Sequence, residues 1–525
     1  MFSRRRFIQR GGALATGLTL GRKSWARGFA GEPAQLIDAT KLAPFVDPLP
    51  ILPFVRSGPT RPDPNDSSRR IPYYHVSMDE VEVQLHRDLK TTRIWGFNGS
   101  SPGPVFEVQS GRPVVVEWSN HLPKKHLFPI DYSLHGAEHD KPDCRSVIHL
   151  HGGRTPSESD GYPENWMASG KSQSCYYPNR QDAAALYYHD HAMGISRLNV
   201  YAGLHGLYLV RDESEASLKL PRGKYEVPLV LCDRMVGTGG QLLYPVSNDA
   251  EHPWVPEVRG NVILANGKIK PYLEVEPIRY RLRVVNGSNG QTFNLALSGG
   301  IGTMYIIGSD QGLLPKPVAA KSVLLAPAER ADVIIDFTEF SGQKVILQND
   351  GAPVMQFRVK ASDGRDDSYL PPSLQPMHRL VEADKTRRLT IDATGLAEHA
   401  SLNRSTWATP VTEKPVQGST EIWEIVNLTD RTHPVHLHMV RFQVLDRRGF
   451  DVALFKQSGE LRYIAPPNHV AAEEAGWKDT VRCERGQVTR IIVPFTPYSG
   501  RYVWHSHLLE QEDRGMMRPY EIVPS

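Results

Sequence analysis

Short strand-like segments recur along the whole chain, and this pattern constrains the fold more than any other feature. The segments alternate polar and apolar residues or run through β-branched residues, and Gly, Pro or Asn ends most of them. They cover residues 114–118, 185–189, 280–285, 332–337, 422–426, 489–495 and 501–504. Long patterns with the 3.6-residue period of a helix are scarce. The sequence therefore predicts an all-β protein built from Greek-key sandwiches.

A weak internal repeat divides these segments into three groups. Residues 117–120 precede an HLH motif near the start of the chain, and residues 425–427 precede a second HLH motif near its end. Likewise, residues 186–191 (LYYHDH) resemble residues 502–507 (YVWHSH). The middle copy, 283–286 followed by 293–295, has the same frame without histidines. The repeat predicts three related sandwich domains.

Domain size supports this division, because 525 residues are too many for one hydrophobic core. Charged stretches that contain Pro and Ser interrupt the strand pattern near residues 213 and 370. We therefore predict a first domain at 31–213, a second at 214–370 and a third at 371–525, each within the normal size range of a domain. The outer two carry the histidine motifs, and the middle one is expected to act as a spacer.

The first 30 residues have the layout of a twin-arginine export signal. Residues 3–8 (SRRRFI) precede a weakly apolar run at 11–20 and small-residue cleavage sites ending at Ala26 or Ala30. A basic arm for an anionic partner is the alternative, but such an arm needs neither the apolar run nor the cleavage site. We expect a periplasmic or extracellular protein without a membrane span, because no later segment approaches 20 apolar residues.

The formal net charge of +3 comes mostly from this segment. Residues 1–30 contain seven basic and no acidic residues, so cleavage after Ala30 would leave a formal charge of −4. No basic face remains that would favour nucleic acid as a partner. The four cysteines are few for a disulfide scaffold, and the sequence leaves their pairing open.

Nine of the 20 histidines fall into four tight groups. The groups are His149/His151, His189/His191, His433/His436/His438 and His505/His507. Side chains two residues apart in a strand point to the same face, so each HxH pair can present two imidazoles side by side. Imidazole suits copper, zinc, iron and nickel. One HxH pair alone is weak evidence, but four groups shared between the first and last repeats indicate a multinuclear metal site.

These stretches resemble the multicopper oxidases, most closely the spore-coat laccase and bilirubin oxidase branch. The matching stretches are 149–153 (HLHGG), 187–193 (YYHDHAM), 433–438 (HPVHLH), 505–507 (HSH) and 516–519 (MMRP), with support from 197–204 (RLNVYAGL) and 326–332 (APAERAD). The resemblance runs from about residue 40 to the C-terminus. It implies three cupredoxin domains with a trinuclear copper centre between the first and the third.

The resemblance also implies a role for each matching side chain. His149 and His436 would hold the type 2 copper, and the type 3 pair would be held by His151, His189, His191, His438, His505 and His507. Asp160 and Glu512 match carboxylates that help to move protons for oxygen reduction; the alternative for both is ordinary surface acidity. Copper is the implied cofactor, with about three ions per chain, and dioxygen is the implied oxidant.

The family pattern breaks at the blue, or type 1, copper site. Such a site needs two His and one Cys around the copper, with a weak axial Met. The family places the Cys and the second His where this chain has Ser506 and Gln511, so only His433 and the axial candidate Met516 remain. A serine hydroxyl is a hard, neutral and poor copper ligand. Nothing in the spacing of Cys483 directs it to His433, and we expect it to be a small buried hydrophobe.

Two functional hypotheses follow. The first is an exported, laccase-like copper oxidoreductase with an intact trinuclear centre, no working blue copper, and an electron donor that is phenolic, a small reductant or a metal ion. The second is a non-enzymatic protein that binds copper or uses the cupredoxin fold as a scaffold. The complete histidine set favours the first, and the broken type 1 site favours the second. A zinc hydrolase is disfavoured, because its open three-ligand site does not require eight histidines.

Overall fold

The computed structural model describes residues 35–300, 302–361, 366–393 and 400–525. The predicted export signal at 1–30 lies outside these ranges. The described residues form β-sandwiches with few helices, which confirms the all-β prediction. None of the helices in these ranges is long and apolar enough to cross a membrane.

The first group of strands forms a five-stranded and a four-stranded sheet. The strands are β1 (Gly58–Asp63), β2 (Asp66–Val83), β3 (Thr92–Phe97), β4 (Phe106–Gln109), β5 (Val114–Asn120), β6 (Arg145–Ser146), β7 (Ile148–His151), β8 (Met167–Ala168), β9 (Ser172–Tyr177), β10 (Ala184–Asp190) and β11 (His205–Arg211). One sheet has the order β1-β2-β5-β9 with β3 paired to β2, and the other has the order β4-β11-β10-β7. Strands β6 and β8 form a separate ribbon.

The middle group forms an eight-stranded and a five-stranded sheet. The strands are β12 (Glu226–Val236), β13 (Leu242–Leu243), β14 (Val262–Ala265), β15 (Lys268–Ile269), β16 (Tyr272–Val275), β17 (Arg279–Asn286), β18 (Phe293–Leu297), β19 (Met304–Ser309), β20 (Gly312–Ala320), β21 (Ser322–Leu325), β22 (Arg330–Asp336), β23 (Lys344–Asn349) and β24 (Ala352–Val359). The larger sheet has the order β15-β14-β12-β17-β22-β19-β20, with β13 paired to β12. The smaller sheet has the order β16-β24-β23-β18-β21.

The last group again forms a five-stranded and a four-stranded sheet. The strands are β25 (Lys385–Ala393), β26 (Ala400–Leu402), β27 (Thr420–Asn427), β28 (His433–Leu437), β29 (Gln443–Gly449), β30 (Thr480–Cys483), β31 (Gln487–Pro494), β32 (Gly500–Ser506) and β33 (Met517–Ile522). The sheet orders are β26-β25-β27-β31-β29 and β30-β28-β32-β33. All seven segments predicted as strands overlap strands of these three groups, and the segments 332–337 and 489–495 run one residue past the ends of β22 and β31.

Helices in the described ranges are short. The α-helices are α1 (Ser196–Ala202), α2 (Glu213–Ser217), α3 (Val452–Ser458) and α4 (Leu509–Arg514). Single 3-10 turns occur at Ser157–Ser159, Gly223–Tyr225, Ser298–Gly300, Thr338–Phe340 and Ala472–Glu474. Helices α1 and α4 pack against each other and so join the first strand group to the last.

The two sheets of each strand group enclose a hydrophobic core, and the core of the first group continues into the middle group at residues such as Leu264. In the first group, Trp118 of β5 and Tyr188 of β10 belong to one buried cluster. In the last group, Trp423 of β27 and Trp504 of β32 pack edge to face, with ring centroids 5.8 Å apart. The alternation of inward apolar residues predicts such packing. The predicted boundaries near 213 and 370 fall between the strand groups and remain predictions.

Candidate metal centre

The histidines occupy the ends of four strands, and the strand register brings them together. His149 and His151 lie on β7, and His189 lies on β10 directly opposite His149. In the last strand group, His436 of β28 lies opposite His505 of β32. His191, His438 and His507 each follow a strand end by one residue. Because the pairing is antiparallel, each strand pair presents neighbouring imidazoles on one face.

Eight imidazoles meet between the first and the last strand groups, and all are at most 2% exposed. The Nε2 atoms of His149 and His436 are 3.4 Å apart. The Nε2 atom of His505 lies 3.3 Å from that of His191 and 3.2 Å from that of His438. Ring nitrogens within 4.8 Å of one another define the groups His149/His151/His436, His151/His189/His507 and His191/His438/His505. These groups contain all eight histidines predicted for the trinuclear site.

Hydrogen bonds fix the second ring nitrogen of several of these histidines. Each of these Nδ1 atoms donates to an oxygen, which leaves the Nε2 lone pair free for a metal ion. The bonds are His149 to the Asp160 carbonyl (2.6 Å), His189 to the Asp190 carbonyl (2.8 Å), His436 to the Asp479 carbonyl (2.8 Å) and His438 to Asp160 Oδ2 (2.7 Å).

Several buried ring nitrogens have no hydrogen-bond partner within the described residues. They are His151 Nδ1, His189 Nε2, His191 Nδ1 and both nitrogens of His507. Buried polar atoms normally find a partner, because leaving one unpaired costs about 1–3 kcal/mol. Coordination through one nitrogen of each ring would satisfy His151 Nδ1, His189 Nε2 and one nitrogen of His507, so the arrangement fits a copper centre.

Burial also keeps the imidazoles in the form that binds metal. Desolvation, helped by the neighbouring imidazoles, lowers the pKa of His149, His191, His438 and His507 well below the usual value. The pKa of His189 falls to about 3, again mainly through burial. Neutral imidazole is the metal ligand, so these side chains need not lose a proton to bind copper at neutral pH.

The two predicted carboxylates lie beside the histidines. Asp160 is 1% exposed, and burial raises its pKa well above the usual value. Glu512 of α4 is also 1% exposed. Its Oε2 lies 2.9 Å from His505 Nδ1, and its Oε1 lies 3.8 Å from His191 Nε2. The alternative that these two residues are surface acids is therefore wrong, whereas their proton-transfer role remains a prediction.

Sequence reasoning missed a third carboxylate, Asp479, which precedes β30. Its Oδ1 lies 3.0 Å from His151 Nε2, and the side chain is fully buried. Burial opposes its ionisation, but the charge and hydrogen bonds of Arg330 outweigh this and lower its pKa to about 2. Nothing local in the sequence distinguishes Asp479 from an ordinary acidic residue. Since Arg330 belongs to the middle strand group, this group contacts the histidine cluster through Asp479, and its role as a spacer remains a prediction.

The opposite face of β32 carries Ser506, where a blue copper site would need a cysteine. The Ser506 hydroxyl lies 3.1 Å from His433 Nδ1, and Thr429 Oγ1 lies 3.1 Å from His433 Nε2. Thr429 donates its proton elsewhere, with Asn427 Oδ1 at 2.7 Å, so it accepts from His433 Nε2. Ser506 therefore donates to the remaining lone pair, on Nδ1. No group of three or more candidate ligands in the described ranges includes His433.

The other two positions of this site are buried. Met516 is fully buried in the core of the last strand group. Gln511 is 1% exposed, and its Nε2 donates to the Pro256 carbonyl at 2.8 Å.

Cys483 lies closer to His433 than its spacing indicated, because β30 and β28 pair these two residues directly. It is fully buried in the same apolar core, and burial raises the pKa of its thiol to about 12. A thiol that stays protonated is a poor metal ligand, which agrees with its expected role as a small hydrophobe. All four cysteines of the chain are free and buried.

A cleft of about 280 Å³ opens beside this site, between the middle and last strand groups. Pro256 and Gly290 line it on one side, and Thr432, Pro434 and Leu508 line it on the other. The backbone N–H of His507 donates to the Pro434 carbonyl at 2.6 Å. The cleft therefore borders the backbone next to His507, through Pro434 and Leu508.

The fold and the site together define a cupredoxin-like sandwich protein with a buried cluster of eight histidines that could hold metal ions. The multicopper oxidase family models match residues 79–145, 140–215 and 369–525. A laccase of Bacillus subtilis (strain 168) is 46% identical over 515 residues, which cover 92% of this chain and 99% of that protein. A laccase of Haloferax volcanii is 36% identical over 565 residues, with 99% and 91% coverage.

Solved structures agree with these relatives. The crystal structure of a laccase from Pediococcus acidilactici superposes with a TM-score of 0.76 at 28% identity, covering 95% of this chain and 99% of that one. A multicopper oxidase from Aquifex aeolicus gives a TM-score of 0.75 at 26% identity, covering 91% and 99%. The chain belongs to the multicopper oxidase family. It is a laccase-like copper oxidoreductase, and enzymes of this family use dioxygen.

Proposed function

We propose that the protein is an exported, laccase-like oxidase that holds a trinuclear copper centre for dioxygen and lacks a working blue copper site. The convergence of eight buried imidazoles between the first and last strand groups carries the proposal. His149 and His436 would hold the type 2 copper. The type 3 pair would be held by His151, His189 and His507 on one side and by His191, His438 and His505 on the other.

The chain's own groups then orient ligands and handle protons, while bound copper would supply the one-electron chemistry that reduces dioxygen to water. Asp160 Oδ2 accepts from His438 Nδ1 and thereby fixes that ring. Burial raises the pKa of Asp160 well above its usual value, which makes this carboxyl a better proton carrier beside the centre. Glu512 lies against His505 and His191 and is positioned to pass protons to the same space.

The absence of a working blue copper site is supported by the chemistry around His433. Ser506 offers no thiolate, and its hydroxyl takes up the Nδ1 lone pair of His433. Gln511 is bonded to a backbone carbonyl and has no imidazole to offer. Bulky phenols, which normally deliver electrons at the blue site, should therefore be oxidised poorly. Small or strongly reducing donors that occupy the cleft beside Pro434 and Leu508 are the favoured electron source.

Metal analysis and EPR on the copper-loaded protein test this proposal. We expect about three coppers per chain, because eight imidazoles satisfy the trinuclear set and His433 with Met516 cannot form a strong fourth site. The spectrum should contain a type 2 signal and no intense blue absorption band. A strong blue colour in the purified protein would refute the proposal, as would zinc in place of copper after copper-replete expression.

The Ser506 position also favours a second candidate, a non-enzymatic copper-binding or scaffold protein. Both candidates bind copper, so oxygen uptake distinguishes them. An oxygen electrode with a series of small reductants should record copper-dependent consumption if the protein is an oxidase. Full copper occupancy without oxygen consumption for any donor supports the second candidate.

Export is tested separately with the charge-conserving change Arg4→Lys/Arg5→Lys. We expect the wild-type protein to reach the periplasm or the medium and the variant to remain in the cytoplasm. Equal distribution of the two proteins in cell fractions would argue that residues 1–30 are not a twin-arginine signal.

A further inference from the structure

Side chains from all three strand groups donate hydrogen bonds to the Asp479 carboxylate. Its carboxylate accepts from Arg330 Nη1 (2.8 Å) and from Arg330 Nη2. Gln311 Nε2 lies 2.6 Å from Oδ2, and Thr480 Oγ1 lies 2.9 Å from Oδ1. The fifth donor is His151 Nε2, 3.0 Å from Oδ1. A carboxylate paired with a buried guanidinium can only accept, so each of these atoms must provide a proton.

This contact decides which nitrogen of His151 is available to a metal ion. Because Nε2 carries the proton donated to Asp479, Nδ1 carries the lone pair. His151 Nδ1 is buried and has no hydrogen-bond partner in the described part of the chain. His149, His189, His436 and His438 have the opposite arrangement, in which Nδ1 donates to an oxygen and Nε2 is free. His151 therefore offers Nδ1 to a metal ion, whereas these four rings offer Nε2.

Asp160 and Asp479 act on the histidines in matching ways. The Asp160 carbonyl accepts from His149 of its own strand group, and its carboxylate crosses to His438. The Asp479 carbonyl accepts from His436 of its own group, and its carboxylate crosses to His151. Each aspartate therefore holds one stacked pair of rings. The centroids are 3.6 Å apart in both His149–His438 and His151–His436.

The middle strand group anchors Asp479. Arg330 lies at the start of β22, and it also donates to the carbonyls of Ala328 (2.9 Å) and Asp310 (3.0 Å). Gln311 Nε2 bonds the Gly152 carbonyl (2.9 Å) as well as Asp479. A Cβ atom at Gly152 would lie 2.6 Å from Asp479 Oδ2 and 2.8 Å from Arg330 Nη2. Only glycine therefore allows the chain after His151 to pass so close to this network.

We infer that Asp479 is a positioning residue of the metal centre, which fixes His151 as an Nδ1 ligand and couples the centre to the middle strand group through Arg330 and Gln311. This inference rests on the proposed function, because it assumes that the eight histidines bind copper. Carboxylates that orient ligating histidines typically change metal affinity by about 10- to 100-fold when they are replaced.

The test compares Asp479→Asn with a matched control, Asp332→Asn. Asp332 is a buried carboxylate of β22 that pairs with Arg281 (2.8 Å from Nε) but touches no imidazole of the centre. Both changes remove one buried charge from an arginine pair, so both should lower the free energy of unfolding. Only Asp479→Asn should weaken copper binding, by about 10- to 100-fold at one of the sites.

EPR supplies a readout that a purely structural role would not change. If copper is lost from the His151/His189/His507 group, the ion left in the His191/His438/His505 group has no magnetic partner. We therefore expect an additional EPR-detectable Cu(II) signal in copper-loaded Asp479→Asn and none in Asp332→Asn. Should Asp479→Asn fail to fold, the double change Asp479→Asn/Arg330→Met removes both charges and serves as the test protein.

The outcomes separate this inference from the proposed function. If the wild type does not bind about three coppers, the proposed function fails and the inference falls with it. If the wild type binds them and the folded Asp479 variant binds copper with the same affinity and the same EPR spectrum, only the inference is overturned. Equal copper loss in Asp479→Asn and Asp332→Asn also overturns it, because a general loss of stability would then explain the result.

Discussion

The two faces of strand β32 surround histidine side chains with different neighbours. On one face, His505 and its neighbour His507 meet six other imidazoles, and both nitrogens of His507 lack a hydrogen-bond partner among the described residues. On the other face, Ser506 contacts His433, whose two ring nitrogens are each hydrogen-bonded to a hydroxyl. Both environments are fully buried and both lower imidazole pKa values. Burial therefore does not distinguish a metal site from a packed histidine.

The difference lies in which atoms surround the lone pairs. Around His505 Nε2 the neighbours are the Nε2 atoms of His191 and His438, and a metal ion could bind in the space between them. Around His433 the neighbours are Ser506 and Thr429, and Ser506 consumes the lone pair that copper would need. With Ser506 and Thr429 on its two ring nitrogens, His433 is part of a hydrogen-bond chain and has no free lone pair for copper.

The largest expected effect comes from removing the histidines of the metal face. The change His505→Ala/His507→Ala should abolish the type 3 pair, about two of the three coppers, and leave the fold intact because the sandwich cores carry most of the stability. His433→Ala is the control and should keep full copper occupancy. Copper content is measured beside circular dichroism of the metal-free proteins. Global unfolding of the metal-free double variant would mean that these histidines are structural.

Restoring the blue copper ligands on the Ser506 face of β32 should add a blue copper and oxidase activity. The change Ser506→Cys/Gln511→His would complete the His₂Cys set with His433, with Met516 as the axial ligand. We expect the double variant to turn blue and to gain oxygen-coupled oxidase activity. Each single variant should gain little, because both ligands act as a unit. A double variant that binds a fourth copper and turns blue yet consumes no oxygen with any donor would favour the copper-binding or scaffold alternative.

A smaller effect is expected when proton transfer next to the metal face is blocked. Glu512→Gln keeps the shape of a side chain that touches His505 but removes its ability to carry a proton. The rate of oxygen consumption should fall by about 100-fold or more, with copper content unchanged. Glu521→Gln on β33 is the control, since this carboxylate is partly exposed and pairs with Lys414. Unchanged oxygen uptake in Glu512→Gln would remove Glu512 from the mechanism.

The smallest expected effect is on the pH dependence of the free energy of unfolding, through His433 on the Ser506 face of β32. Burial lowers the pKa of His433 from 6.5 to about 3, so the folded protein resists protonation there. Between pH 6.5 and about pH 3, the His433 side chain is protonated in the unfolded chain and neutral in the folded chain. His433 therefore destabilises the fold as pH falls through this range. In metal-free protein, the free energy of unfolding should fall less steeply below pH 6.5 in His433→Gln than in the wild type. Parallel slopes in denaturant titrations at several pH values would contradict this.

Much of the site followed from local spacing. The HxH motifs required only the two-residue period of a strand, and all eight predicted histidines converge as expected. The strand at 501–504 was predicted from its apolar alternation, and the observed β32 extends it only by one residue before and two after. The opposite directions of Ser506 and its flanking histidines followed from the same period.

Other features depended on contacts that no local pattern records. Asp479 lies 328 residues from the histidine it touches, and Arg330 lies 149 residues from Asp479. The pairing of Cys483 with His433 depends on strand register, which a sequence spacing of 50 residues does not fix. For the same reason, the burial of Asp160 and Glu512 could not be read from their neighbours in the chain.

The sequence by itself determined which residues can share a strand face: the histidine pairs, the serine between two of them, and the repeat that separates three strand groups. Period and residue type are sufficient for this, because side-chain direction along a strand is a local property. Only the tertiary structure decided which lone pairs remain free. That outcome depends on how the packed strand groups bring Asp160, Asp479 and Arg330 against the rings, because hydrogen bonds require atoms within about 3 Å of one another.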